Sequence, residues 1–231
     1  MIKSFIALDL ETTGLSAKEE KIIEVGAVKV VDGVEISRYQ TLINPGKIIS
    51  NRIIEVTGID NEMVKDAPYI EDVISDILEY MEELPLLGHN LIFDYSFMKR
   101  AAINNKLEFE KMGIDTLKLA RKYLTHLPSK KLDFLCEVLN IEDEQHHRAI
   151  NDAVAAYKLY YLLCEKYGAS ECECMSLNYK VKRECPITPR QITFLSSLNQ
   201  KHNLVVDYDI TRLTKNEASR KIDIILSTYG R

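Results

Sequence analysis

The sequence predicts an α/β fold: a mixed β-sheet flanked by helices, followed by a small helical module. Three observations carry this. The chain opens with three strand-like segments, two of them joined by Asp32-Gly33. Helix-like and strand-like segments then alternate, the pattern that covers both faces of a sheet. After residue 168 the apolar periodicity lapses, and it resumes near Cys185 with helical spacing only.

Each element has a local reason. Ile2 to Leu10 is rich in apolar residues and reads as a buried first strand. Ile22 to Val31 and Val34 to Ile43 follow, and Asp-Gly between two apolar runs is a strong hairpin signal. Pro68 to Glu83 reads as a helix, because Ile70, Val73, Ile74, Ile77 and Leu78 recur at helical spacing. Leu84 to Gly88 is a short buried strand leading to His89 and Asn90, and Phe93 to Ile103 continues as a helix. A strand-to-helix step spans Ile114 to Leu119, with Asp115 as N-cap. Leu132 to Leu139 and Ala149 to Lys166 are further helices. Residues 169–184 read as a linker. Beyond it, Thr188-Pro189 supplies N-cap and N1 signals, and Thr214 to Glu217 forms a capping box before an apolar stripe of Ala218, Ile222, Ile225 and Leu226.

The chemistry-bearing residues lie in three short segments. Asp9 and Glu11 end the first apolar run, two residues apart and so on one strand face. Asp94 lies in GHNLIFDYSF, and His147 and Asp152 in HHRAIND. Asp94 and Asp152 are each the inward-facing polar residue of an otherwise apolar helical face. Four carboxylates suit two hard divalent cations, Mg²⁺ or Mn²⁺, which prefer carboxylate oxygens. Such a pair can activate a water and stabilise the leaving oxygen of a phosphodiester. A histidine with a pKa near ~6.5 can take the proton of the attacking water at neutral pH. His147 precedes Asp152 by five positions, so a helix opening just before Asp152 leaves His147 on the preceding loop. Its neighbour His146 reads as a packing or solvent residue, His89 as structural, and Asp115 as a helix cap rather than a ligand.

The ordered motifs DLETTGL, HNLIFD and H-x-x-x-x-D resemble the DnaQ-like 3′→5′ exonucleases of the DEDDh group. IIEVGAVKV, VTGI with NEMVKDAP, and IDTLKLAR extend the likeness to the proofreading exonuclease domain of the Gram-positive-type polymerase III α chain. The resemblance covers roughly residues 3–168. It implies a ribonuclease H-like fold for residues 1–168 and release of 5′-mononucleotides from a nucleic-acid 3′ end, single-stranded DNA being favoured. Asp9, Glu11, Asp94 and Asp152 then hold the metals, with His147 as general base. It also implies that backbone groups at Thr12 and Gly14 meet the terminal nucleotide, that Leu15 wedges beside its base, and that Asn90 holds the site or the substrate. Thr57 stands where many relatives carry histidine and matches the polymerase-embedded type. Phe93 reads equally as core or as a base-stacking ring. Partners so implied are a DNA 3′ end and a DNA polymerase or other DNA-metabolism protein. An RNA 3′-end trimming exonuclease shares every motif, and a non-catalytic polymerase-associated subunit is the reading from another class.

Bulk properties narrow the field. With 231 residues, 46% hydrophobic and 28% charged, the chain suits one substantial domain plus an appendage. It has no apolar run of the ~18 residues a membrane span needs, and a strand motif follows Met-Ile-Lys-Ser directly, so the expectation is a cytoplasmic protein with no membrane partner. Cys136 and Cys164 sit in helical apolar patterns. Cys172, Cys174 and Cys185 read as free thiols, since their spacing, even with His202 as a remote fourth, is not that of a usual zinc module. Net charge is −5, yet residues 186–231 carry 7 Lys+Arg against 4 Asp+Glu, while the rest carries 23 against 31. That asymmetry predicts a C-terminal module (185–231) presenting Lys201, Arg220 or Lys221 to a phosphate backbone.

Overall fold

A computed structural model describes residues 1–141, 148–168 and 174–230. Among these, six strands form one sheet in the order β3-β2-β1-β4-β5-β6. β1 (Phe5–Thr12), β2 (Ile22–Val31) and β3 (Val34–Leu42) form an antiparallel meander. The β2–β3 turn has Asp32 at φ 52° and Gly33 at φ 85°, the doubly left-handed geometry that Asp-Gly predicts. β4 (Leu86–Gly88) and β5 (Met112–Asp115) add in parallel on the other side of β1. The chain thus leaves β1 to one side and returns to it on the other, and β1 is where the sheet order reverses.

Helices cover both faces. α3 (Ile70–Met81) and α4 (Ile92–Asn104) pack on the face carrying Ile6, Leu8 and Leu10. α5 (Thr116–Tyr123), α6 (Leu132–Leu139) and α7 (Ala149–Tyr167) pack on the face carrying Phe5 and Ala7. The alternation of β1 is used on both faces: from Phe5 to Leu8 each successive residue is buried against the opposite helical layer. Each such Ile, Leu or Phe stabilises the fold by about 1.5–3 kcal/mol. Asp115 caps α5 as expected, accepting from the Leu117 N–H at 3.0 Å.

The structure adds three elements to the sequence reading, two short helices and a strand. Short helices α1 (Asn51–Thr57) and α2 (Asn61–Val64) fill the segment between β3 and α3, over a small cluster of Ile23, Ile49, Ile59 and Val64. Part of the expected linker is sheet: β6 (Met175–Ser176) pairs antiparallel with β5, and Leu177 enters the core. Gly113 makes that possible, since a Cβ there would stand 2.7 Å from Leu177 Cδ1.

The C-terminal helices α8 (Pro189–Lys201) and α9 (Lys215–Tyr229) enclose their own apolar cluster, with a 3₁₀ turn at Ile210–Arg212 between them. The Thr214–Glu217 capping box forms as predicted, through bonds of 2.7 and 3.2 Å. The module docks on the loops beside β1. The Ile48 N–H donates to Asp207 O and the Asp209 N–H to Gly46 O, both at 2.8 Å. Around these lie Lys21–Glu217, Arg212–Glu71 and Arg220–Glu19. Two cations expected to face a phosphate backbone are thereby occupied: Arg220 by Glu19, and Lys221 by the Tyr208 ring, 3.5 Å from its centroid. No helix among the described residues is long and apolar enough to cross a membrane.

Candidate active site

The site forms where β1 outruns its neighbour. β4 pairs only with Ile6 and Ala7 and stops at Gly88, while β1 continues to Thr12. The Leu10 N–H, on the vacated side, has no strand to donate to. The Asp94 carboxylate from the first turn of α4 takes it at 3.0 Å. Asp94 is 2% exposed, so it lies inside the molecule at the sheet's open slot.

Asp9 and Glu11 occupy the same face of β1 as Phe5 and Ala7, the face covered by α7. Register places Gly26 opposite Asp9 and Glu24 opposite Glu11. Those two β2 residues bring α7 in. A Cβ at Gly26 would stand 2.3 Å from the Ala149 carbonyl carbon and the Ile150 nitrogen, so the start of α7 rests where only glycine leaves room. Glu24, fully buried, accepts from Arg148 Nη2 at 2.6 Å, from Arg148 Nε at 3.1 Å and from the Ala149 N–H at 3.1 Å. Gln40 donates a further bond at 2.8 Å. A buried carboxylate is tolerated only with such partners, and here the partners are the N-cap and first residue of α7. Asp152, in the first turn of α7, is thereby held against β1.

The result is a cluster of Asp9, Glu11 and Asp152 with one carboxylate oxygen of each within 4.8 Å of the others. Burial and mutual repulsion make the charges costly. Asp9 is pushed well above the usual carboxylate range, first by burial and then by Asp94, Asp152, Glu11 and Glu24. Glu11 is pushed up to about 8, by burial and then by Asp152 and Glu24, against the pull of Arg148. Asp94 is raised too, chiefly by burial, although the Leu10 bond works the other way. Hard oxygen donors gathered at this density suit divalent cations, which would supply the missing positive charge.

His147 and its neighbour His146 lie outside the described residues, as does Cys172. The other predicted positions fall into two groups. Near the end of β1, Thr12 is buried and its hydroxyl donates to Gly14 O at 2.8 Å, while Leu15 is 89% exposed. Gly14 has no left-handed φ; a Cβ there would meet the Glu20 side chain at 2.9 Å, so space rather than conformation favours glycine. Asn90 is exposed in the left-handed region, φ 68°, with its N–H given to Asp115. Phe93 is half-buried and packs on Phe97, with ring centroids 5.0 Å apart. Thr57 stands apart in function: its hydroxyl closes the end of α1, donating to Ile53 O and accepting from the Ile59 N–H. His89 is structural. Its Nε2 donates to Lys130 O at 2.7 Å, its Nδ1 meets the Thr116 hydroxyl, and burial holds its pKa down. Cys174 packs at the edge of the α7 core and Cys185 is exposed. Glu24, Gly26 and Arg148 are the members of the site that sequence reasoning passed over.

Comparison with known proteins places the fold in a family. The chain is 42% identical over 165 residues to a PolC-type DNA polymerase III of Bacillus subtilis, and 35% identical over 229 residues to that of Thermotoga maritima. These alignments cover 70% and 93% of the chain but only 11% and 17% of the polymerases. Among solved structures, exonuclease X in complex with 5′ overhanging duplex DNA matches with a TM-score of 0.58 at 27% identity, over 74% of this chain and 96% of that one. The RNase_T family model, described as Exonuclease, matches residues 6–160, from the second residue of β1 into α7. With the DEDDh-type motifs on a ribonuclease H-like sheet, that match identifies the chain as a member of the RNase_T exonuclease family.

Proposed function

We propose that the chain is a metal-dependent 3′→5′ exonuclease that hydrolyses the terminal phosphodiester of single-stranded DNA, in proofreading or repair. The observation that carries this is the convergence of Asp9, Glu11 and Asp152 within 4.8 Å beside buried Asp94. These four would hold two divalent cations, Mg²⁺ or Mn²⁺, which when bound lower the pKa of the attacking water and offset the charge of the leaving oxygen. His147 takes the proton of that water. Glu24 and Arg148 orient the start of α7, from which Asp152 comes. Leu15, large, apolar and exposed beside the site, packs on the terminal base, with Thr12, Gly14, Asn90 and Phe93 around it. Thr57 supports the neighbouring loop through its hydroxyl. The separate apolar cluster of α8 and α9 supports treating residues 185–231 as a module appended to an exonuclease unit of residues 1–168. The likeness to PolC-type polymerases supports a replicative polymerase as the working partner and a cytoplasmic setting.

The test compares 3′-labelled single-stranded DNA with RNA of the same sequence, with Mg²⁺, Mn²⁺ or EDTA. Release of labelled mononucleotide from DNA, dependent on metal, is the expected result. Faster release from RNA moves the assignment to 3′-end trimming. No release from either, with metal binding intact, leaves a non-catalytic polymerase-associated subunit.

A further inference from the structure

The proposed function gives the carboxylates the last phosphodiester of a strand and leaves the rest of that strand without a surface. The molecule's cations suggest where it goes. Where the C-terminal helices dock, four of them are neutralised: Lys21 by Glu217 at 3.0 Å, Lys47 by Glu20 at 2.7 Å, Arg212 by Glu71 and Arg220 by Glu19. In a groove of about 440 Å³ between α4, the β1–β2 loop and residues 179–185 they are not. Lys18, Lys180, Lys182, Arg183 and Lys215 line it, all exposed. Among the described residues, none of the five has an acid within 4.0 Å. The groove's own acid, Glu184, is turned onto Arg100 at 2.8 Å, with 7% and 14% of the two side chains exposed. That pair is consumed by the fold; the other five charges are left for something else.

Two walls of the groove lead back to the carboxylates. Lys18 lies on the loop that leaves β1, seven residues after Glu11 and just past exposed Leu15. Arg100 lies on α4, six residues and so about 9 Å of helix rise from Asp94. Tyr179, half-buried against the core, lines the same space and offers an aromatic surface of the kind on which bases stack. Like charges this close repel within the ~8–10 Å over which salt screens them. A polyanion relieves that repulsion, and a strand whose end lies at the carboxylates is a polyanion in the right place.

We propose that this groove binds the sugar-phosphate backbone of a single nucleic-acid strand upstream of the 3′ end, an inference that rests on the exonuclease reading of the carboxylates. The gripping cations then belong to residues 180–183, the β1–β2 loop and Lys215 at the start of α9, not to Arg220 and Lys221 further along that helix. The test uses the full chain carrying Lys180→Gln, Lys182→Gln and Arg183→Gln together. Anisotropy of a long labelled single strand is read in EDTA over a series of salt concentrations, so that binding is measured without hydrolysis. Three lost phosphate contacts lower the log–log salt slope by about 2, at ~0.7 per phosphate of a single strand. Hydrolysis of a dinucleotide, too short to reach the groove, stays at the wild-type rate. The matched Lys180→Arg, Lys182→Arg double variant keeps the wild-type slope, which separates charge from a folding defect. An unchanged slope and affinity in the triple variant overturns the groove, whether the patch serves an acidic protein or nothing. If wild type hydrolyses no substrate yet the triple variant loses binding, the groove stands and the exonuclease reading falls.

Discussion

The carboxylate end of β1 and the docking face of the C-terminal helices treat charge in opposite ways. At the docking face Glu217, Glu71 and Glu19 each meet a cation within 3.0 Å, and the pairs join the helices to the sheet domain. At the end of β1 three acids meet one another, and the nearby cation, Arg148, is bound to Glu24 rather than to them. Paired charge describes a finished contact. Like charges gathered by a rigid sheet and helix, at a cost in stability, describe a contact completed from outside.

If that contrast is right, Asp9→Ala removes activity to background. The same change leaves the thermal midpoint of the metal-free protein equal or higher, because a repelling charge is gone. Retained turnover at saturating Mn²⁺ would exclude Asp9 from the site. His147→Ala lowers the rate by ~10²–10⁴, the usual range for a lost general base. It leaves affinity for a 3′ end nearly intact, and the pH–rate profile loses an ionisation. The large loss appearing in His146→Ala instead would show that the spacing argument chose the wrong ring.

Gly26→Ala tests whether rigidity holds the acids together. Its Cβ would strike the α7 backbone, which has no flexible end to move aside. Overpacking of this kind costs ~1–3 kcal/mol, read as a lower urea midpoint, together with weaker metal binding. A variant of full stability and full metal affinity would mean that α7 is not seated by that glycine.

Stability against pH sharpens the comparison further. Glu11 ordinarily ionises near 4.5 and in the folded chain near 8, so between those values the folded state holds a proton that the unfolded state has released. Metal-free stability therefore falls as pH rises through that window. Added Mg²⁺ or Mn²⁺ binds the folded state and restores it. Denaturation midpoints that stay flat with pH and ignore the metal would contradict the repulsion described above. The smallest effect belongs to the docking face: Arg220→Ala breaks an exposed pair and shifts stability by only about 0–1 kcal/mol, with no change in the rate on a dinucleotide.

Much of this was legible in the chain. The Asp32-Gly33 hairpin, the β2 limits and the α6 limits follow from local pattern alone. Alternation also puts Asp9 and Glu11 on one strand face, but Asp152 joins them in the sequence reading only through the ordered motifs and the family they resemble. What was not legible depends on distance in sequence. Glu24 sits in an apolar strand and finds Arg148 124 residues away. Arg220 finds Glu19 201 residues away, so its charge read as available when the fold had engaged it. α1 and α2 are seven and four residues long, too short for a periodicity to emerge. β6 is two residues long and exists only because β5 offers an edge.

The bond between Asp94 and the Leu10 amide has a consequence for how the site can be dissected. One oxygen of that carboxylate is committed to the backbone of β1, which leaves its other oxygen for any ion. Asp94 can therefore act as a single-oxygen ligand without disturbing the strand, whereas chelation through both oxygens would make Oδ1 share its lone pairs between the ion and the Leu10 N–H. Asparagine keeps an acceptor oxygen for the amide and removes the charge; alanine removes both. The difference in unfolding free energy between those two variants isolates the architectural half of Asp94, and the difference in ion affinity between aspartate and asparagine isolates the other half. One side chain is a clasp and, in the proposed function, a ligand as well, and the two offices can be weighed separately.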